Sequence, residues 1–208
     1  MRTSLFQPAR LLAAALVASL GLTSVAALAA PKDAENFVRE RGAEAIAVLS
    51  KPGLTDQEYA REFVAFVDRS FDAPAMAQFA LGVYWRQATE PQRAEFVKLY
   101  RDYFINTYSQ RFRQFSGERF DVHGVRAVNA TENLVQSRIV RPAPAQPINI
   151  EWHVREAAGQ QRVVDLIIEG LRLGITLRDE FSAIVQQGGL DALFKALRDK
   201  NLTFNRGA

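Results

Sequence analysis

The sequence predicts an α+β domain: a curved, mostly antiparallel sheet of about four strands, covered by helices from both ends of the chain. Three observations carry this. Apolar residues recur at helical spacing from Lys32 to Phe115, alternate strictly after Ser116-Gly117, and return to helical spacing from Leu177 onward. Helices, then a meander of strands, then helices is the order of an α+β fold with helices over one face of the sheet. No internal repeat and no linker divides the chain, so residues 30–208 read as one domain.

The N-terminus reads as an export signal. MRTSLFQPAR carries Arg2 and Arg10, LLAAALVASLGL is apolar, and Ala27-Leu28-Ala29 offers a small-residue cleavage site. A signal peptide over residues 1–29 is expected, with the product released into the periplasm. Its apolar core is short for a membrane anchor, and no cysteine follows it to take a lipid. The processed chain would have 179 residues (208 minus 29), enough for a sizeable core.

Phe37, Ala45, Ile46 and Leu49 mark a first helix, ended by Lys51-Pro52-Gly53. Thr55 with Glu58 forms a capping box for a second, whose apolar face holds Tyr59, Phe63, Phe66 and Val67. A short helix should start near Asp72 and close at Gly82. Thr89 and Gln92 cap a long helix with Pro91 in its first turn. Its stripe of Phe96, Leu99, Tyr100, Tyr103, Phe104, Tyr108, Phe112 and Phe115 fixes one face, which reads first as core.

Four strands follow. Phe120 and Val122 belong to the first, with a bulge expected near Gly124. Leu134 to Arg141 forms the second, ended by Pro142 and Pro144. In the third, Ile148, Ile150, Trp152 and Val154 face the core, and Asn149, Glu151, His153 and Arg155 face water. Ala157 to Gly159 turns into the fourth, Arg162 to Leu173. Two tail helices carry Leu177, Phe181, Ile184 and Val185, then Leu190, Leu193, Phe194 and Leu197, with Gly188-Gly189 between them.

Composition narrows the chemistry. Without cysteine there is no disulfide framework, thiol nucleophile or thiolate metal site. Removing Arg2 and Arg10 leaves 24 basic against 23 acidic side chains, a net of +1, with the signs interspersed. That lacks the dense basic footprint of a nucleic-acid binder, so no nucleic-acid partner is expected. There is no G-x-S-x-G, P-loop, G-x-G-x-x-G or H-E-x-x-H pattern, and no metal or cofactor is expected. His123 and His153 read as solvated strand residues. Asp165 and Glu169 are the best carboxylate candidates. In a strand, however, positions four apart lie roughly 13 Å from each other, whereas paired glycosidase carboxylates lie roughly 5 to 9.5 Å apart. Each reads as a salt bridge or a helix cap. A small-molecule enzyme with Asp165 as a single base in a cone-shaped sheet remains an alternative. An adaptor with a filled core is another. The surplus of large apolar side chains suits either a filled core or a deep pocket, and periodicity does not separate the two.

The stretch FDAPAMAQFALGVYWRQATEPQRAEFVKLYRDYFINTYSQRF, Phe71 to Phe112, closely resembles the MlaC family of periplasmic phospholipid-binding, or toluene-tolerance, proteins. The shared elements are Phe71-Asp72, Leu81-Gly82 with Trp85-Arg86, Ala88-Thr89 with Gln92-Arg93, then Phe96 and Thr107-Tyr108. Asp165 with Ile168-Glu169-Gly170, then Arg178 and Phe181, resembles the family's strand-to-helix passage. The likeness runs from about Phe37 to Leu197. The sequence departs from the pattern at Gln161-Arg162, where an aromatic is usual, and at Arg172, where a serine is usual. GITLRDEFSAIVQQGG is similar to a hopanoid-associated branch often called HpnM.

The resemblance implies a sheet of NTF2-like or cystatin-like curvature and a monomeric, non-enzymatic carrier of a phospholipid or a hopanoid. It also implies partners: an inner-membrane ABC transporter complex and an outer-membrane lipoprotein complex. A carrier must hide methylenes from water at about 0.8 kcal/mol each while leaving the headgroup outside. The expected lining is Val135, Ile139, Ile148, Ile150, Trp152, Val164, Leu166 and Ile168 from the sheet, with Phe71, Phe79, Trp85, Phe96 and Phe104 from the helices.

Overall fold

The computed structural model describes residues 31–49, 51, 53–112, 117–142 and 144–206. The signal peptide expected over residues 1–29 and the last ring of the aromatic stripe, Phe115, lie outside the described residues. Five helices, α1 (Pro31–Leu49), α2 (Asp56–Ser70), α3 (Ala73–Leu81), α4 (Glu90–Phe112) and α5 (Leu173–Arg206), enclose an antiparallel sheet. Its strands are β1 (Arg119–Ala127), β2 (Glu132–Val140), β3 (Ile148–Ala157), β4 (Gln160–Ile168) and β5 (Leu171–Arg172), in the order β1-β2-β3-β4-β5. The expected α+β architecture is present, with helices from both chain ends packed on the sheet.

Local chemistry sets the boundaries. The Thr55 hydroxyl accepts from the Glu58 N–H at 3.3 Å while the Glu58 carboxylate accepts from the Thr55 N–H at 2.9 Å, closing the capping box of α2. Asp72 caps α3 by accepting from the Ala75 N–H at 2.9 Å. Thr89 and Gln92 make the same reciprocal bonds before α4. A 3-10 turn over Gly82–Arg86 joins α3 to α4.

The sheet departs from expectation at its last strand. The fourth strand does not run on to Leu173: the chain reverses at Glu169-Gly170, and Leu171-Arg172 pairs back on Ile168 and Ile167 as a fifth strand. Glu169 and Gly170 have φ of 49° and 78°, and Ala158-Gly159 at the β3–β4 hairpin has 50° and 75°. Positive φ at both central residues matches the right-handed twist of the flanking strands. A bulge between Val122 and Gly124 bends β1, and a second, at His153–Val154, leaves Val164 of β4 without a partner. Within α5 the backbone at Gly189 is non-helical (φ 75°) and separates the two expected tail helices, which meet there at a kink.

Two aromatic groups hold the layers together. Phe96 lies 6.0 Å from Phe194 and 5.9 Å from Phe181, both of α5, and Phe181 sits edge-on to Tyr100. All four rings are fully buried, and they form a filled helix-to-helix core. The second group, Phe63, Phe66, Phe71, Phe104 and Phe120, gathers on the inner sheet face around Trp152. No helix among the described residues is long and apolar enough to cross a membrane.

Candidate functional site: an apolar cavity between sheet and helices

The second aromatic group encloses space. A cavity of about 580 Å³ lies between the inner face of β1–β4 and helices α1, α2 and α4. Register builds its floor. Ile139 pairs with Ile148, Trp152 with Leu166, and Ile150 with Ile168, so strand alternation stacks these side chains on one face. Gly42, Ala45 and Ile46 of α1 and Phe63, Phe66 and Val67 of α2 close the other side. Phe71 is the joint between helices and sheet. Its backbone bridges Val163, the Asp72 N–H donates to the Val163 carbonyl at 2.9 Å, and its ring meets Phe66, Phe104 and Trp152.

The wall is mostly apolar, and the indole N–H of Trp152 on it is satisfied. Trp152 Nε1 donates to Ser137 Oγ at 2.8 Å, and that hydroxyl donates to the Ile150 carbonyl at 3.2 Å. The indole is thereby fixed with no unmet donor in the apolar space. Among the described residues, the charged ones on the wall are Glu118 and Arg141. They stand with Pro142 and Ala145 at the sheet end where β1 begins and β2 and β3 are joined. Arg141 ties that loop by donating to the Gln146 carbonyl at 3.0 Å.

Eight of the thirteen residues expected to line a pocket stand on this wall: Phe71, Phe104, Ile139, Ile148, Ile150, Trp152, Leu166 and Ile168. The other five lie elsewhere. Phe79 is 36% exposed on the outer surface, with the Arg172 and Arg178 guanidiniums over its ring at 5.5 and 5.2 Å. Trp85 lies in the 3-10 turn under Arg93, 5.5 Å away. Phe96 belongs to the filled helix core. Val135 is fully buried in packing, and Val164 is the unpaired bulge residue. Ala45, Ile46, Phe63, Phe66, Val67, Tyr108 and Phe120 join the wall although they were assigned only to helix faces and a strand. Their signal was the apolar face itself, which does not say whether it meets side chains or space.

The carboxylates of the strand-to-helix passage work on the opposite sheet face. Asp165 pairs in register with His153, while its neighbour Leu166 pairs with Trp152 on the cavity side. Asp165 is 3% exposed and accepts from Arg172 Nε at 2.6 Å and from the Gly174 N–H at 2.9 Å, at the start of α5. The Glu169 carboxylate accepts from the Asn149 N–H, pinning the turn. Asp165 is therefore both the expected salt bridge and the expected helix cap, whereas Glu169 is neither and instead anchors the backbone of β3.

His153 is not solvated as expected, because neighbouring side chains cover it. Its Nε2–H donates to Glu132 at 3.1 Å and its Nδ1 accepts from Arg172 at 3.0 Å, an arrangement that suits only the neutral ring. Burial pushes its pKa below the usual histidine value, against the pull of Glu132. Among the described residues no group of three or more His, Asp or Glu is placed to hold a metal.

A small α+β shell around an apolar cavity with two charged residues at one end defines a class of container proteins for greasy ligands. A family model described as MlaC protein matches residues 40–199, most of the chain, so the chain belongs to the MlaC family, which are non-enzymatic phospholipid carriers. Among solved structures, it is similar to the phospholipid-binding protein from Ralstonia solanacearum, solved in complex with a phospholipid. The two share 22% identity and superpose with a TM-score of 0.70, covering 83% of this chain and 98% of that one. At that identity the likeness shows a common fold.

Proposed function

We propose that this chain carries a lipid through the periplasm with the lipid's apolar part in the cavity between sheet and helices. The cavity itself carries the reading. A roughly 150 Å³ apolar cavity takes a benzene-sized guest, so about 580 Å³ takes roughly four such volumes, or about two dozen carbons. That is more than one acyl chain, and it also suits a polycyclic lipid. Burying methylenes here is favourable at about 0.8 kcal/mol each, while a charged headgroup stays at the rim beside Glu118 and Arg141. The Ralstonia protein, solved with a phospholipid, supports a phospholipid as cargo. Membership of the family supports exchange with an inner-membrane ABC transporter complex and an outer-membrane lipoprotein complex, by a monomer released from its signal peptide.

Native mass spectrometry of protein purified from a bacterial host tests this. Phospholipid should co-purify one-to-one, or load from phospholipid vesicles. Protein that stays empty in both experiments refutes it. A co-purifying hopanoid instead would place the chain with the hopanoid-associated branch.

A further inference from the structure

Gly42 sits inside α1, where glycine is about 1 kcal/mol worse than alanine. Its backbone does not need glycine, since its φ is not among the positive ones. What needs it is Phe120. A Cβ on Gly42 would lie 2.1 and 2.2 Å from two Phe120 ring carbons and 3.0 Å from a third, inside the ring's own volume. Both residues are on the cavity wall. The ring also meets Trp152, edge-on at 5.9 Å, whose indole Ser137 fixes. With the α1 backbone and that indole both against it, a displaced ring has the cavity to enter.

We propose that Gly42 and Phe120 together set the size of lipid this carrier accepts: the missing side chain is a notch that holds the ring out of the cavity. The proposal rests on the lipid-carrier reading. A phenyl ring is about the size of the guest of a roughly 150 Å³ cavity, a quarter of the 580 Å³ here. Phe120→Ala should therefore add room for about six carbons, and Gly42→Ala, which pushes the ring inward, should remove room for at most about as many. Closing or opening a wall in this way changes which guests fit before it changes the fold.

The test is native mass spectrometry of lipid co-purified from one host by wild type, Gly42→Ala, Phe120→Ala and the double variant. Total acyl carbons per bound lipid should shift down, by at most about six, in Gly42→Ala and up by about six in Phe120→Ala. The double variant should match Phe120→Ala, because with the ring gone the added methyl has nothing to displace. The same profile in wild type and Phe120→Ala overturns the proposal, even if Gly42→Ala fails to fold. So does a double variant as shifted as Gly42→Ala alone. Wild-type protein that neither co-purifies with lipid nor takes it from phosphatidylethanolamine vesicles overturns the carrier reading, and the notch with it.

Discussion

Filling the cavity should strengthen the empty protein and disable the carrier. Ala45 of α1 is partly buried on the cavity wall. Replacing it by phenylalanine places a ring in space that is otherwise unfilled, taking up about a quarter of 580 Å³ on the benzene scale used above. Burying a phenylalanine side chain is worth about 1.5 to 3 kcal/mol. Part of that is spent on ordering the ring, so a net gain of about 1 to 2 kcal/mol is expected, within the range of other cavity-filling changes. For a domain of this size that raises the Tm of delipidated protein by about 2 to 8 °C. The comparison must use delipidated samples, because bound lipid stabilises wild type by mass action. Lipid occupancy, read by native mass spectrometry, should fall at the same time. A variant destabilised by about 1 to 3 kcal/mol would be behaving like an overpacked core, and the space would not be a cavity in solution. A variant that is more stable yet carries as much lipid would show that lipid binds elsewhere.

Three further perturbations probe the frame. Asp165→Ala leaves Arg172 and the Gly174 N–H without their acceptor. It should cost about 3 kcal/mol or more in urea unfolding, as for other broken buried ion pairs, without changing which lipid co-purifies; a loss under about 0.5 kcal/mol would refute the bracing role. Because burial holds His153 below its ordinary value of 6.5, the unfolded chain binds that proton first as the pH falls. Its contribution is whole above about pH 6.5 and is lost below it, so the urea midpoint should drop between about pH 7.5 and 5.5, and less so in His153→Gln. Thr55→Ala removes the hydroxyl half of the α2 capping box and should cost about 1 kcal/mol by thermal melting.

How much of this was legible in the sequence differs between elements. Capping boxes at Thr55 and Thr89, the alternation in β3, and the Gly188-Gly189 break use only neighbours in the chain, and each stands where spacing put it. The end of β4 was harder. Arg162 to Leu173 reads as one strand, yet the φ > 0 pair at Glu169-Gly170 folds it into two. The EG dipeptide was the available signal, and the apolar run masked it.

The sequence by itself determined most of the secondary structure, the family and most of the apolar side chains that turn away from water. It determined these because each depends on residue type at short spacing. Only the tertiary structure decided which aromatics are core and which are wall. Phe96 and Phe104 lie on the same stripe of α4, yet Phe96 meets the rings of α5 while Phe104 meets the cavity beside Phe71. The division is made by elements far away in the chain. α5 lays Phe181 and Phe194 over one half of that stripe, while α1 packs on β1 at Gly42 and the other half faces the cavity. Hydrophobic periodicity records that a side chain leaves water, and it carries no information about what arrives on the other side.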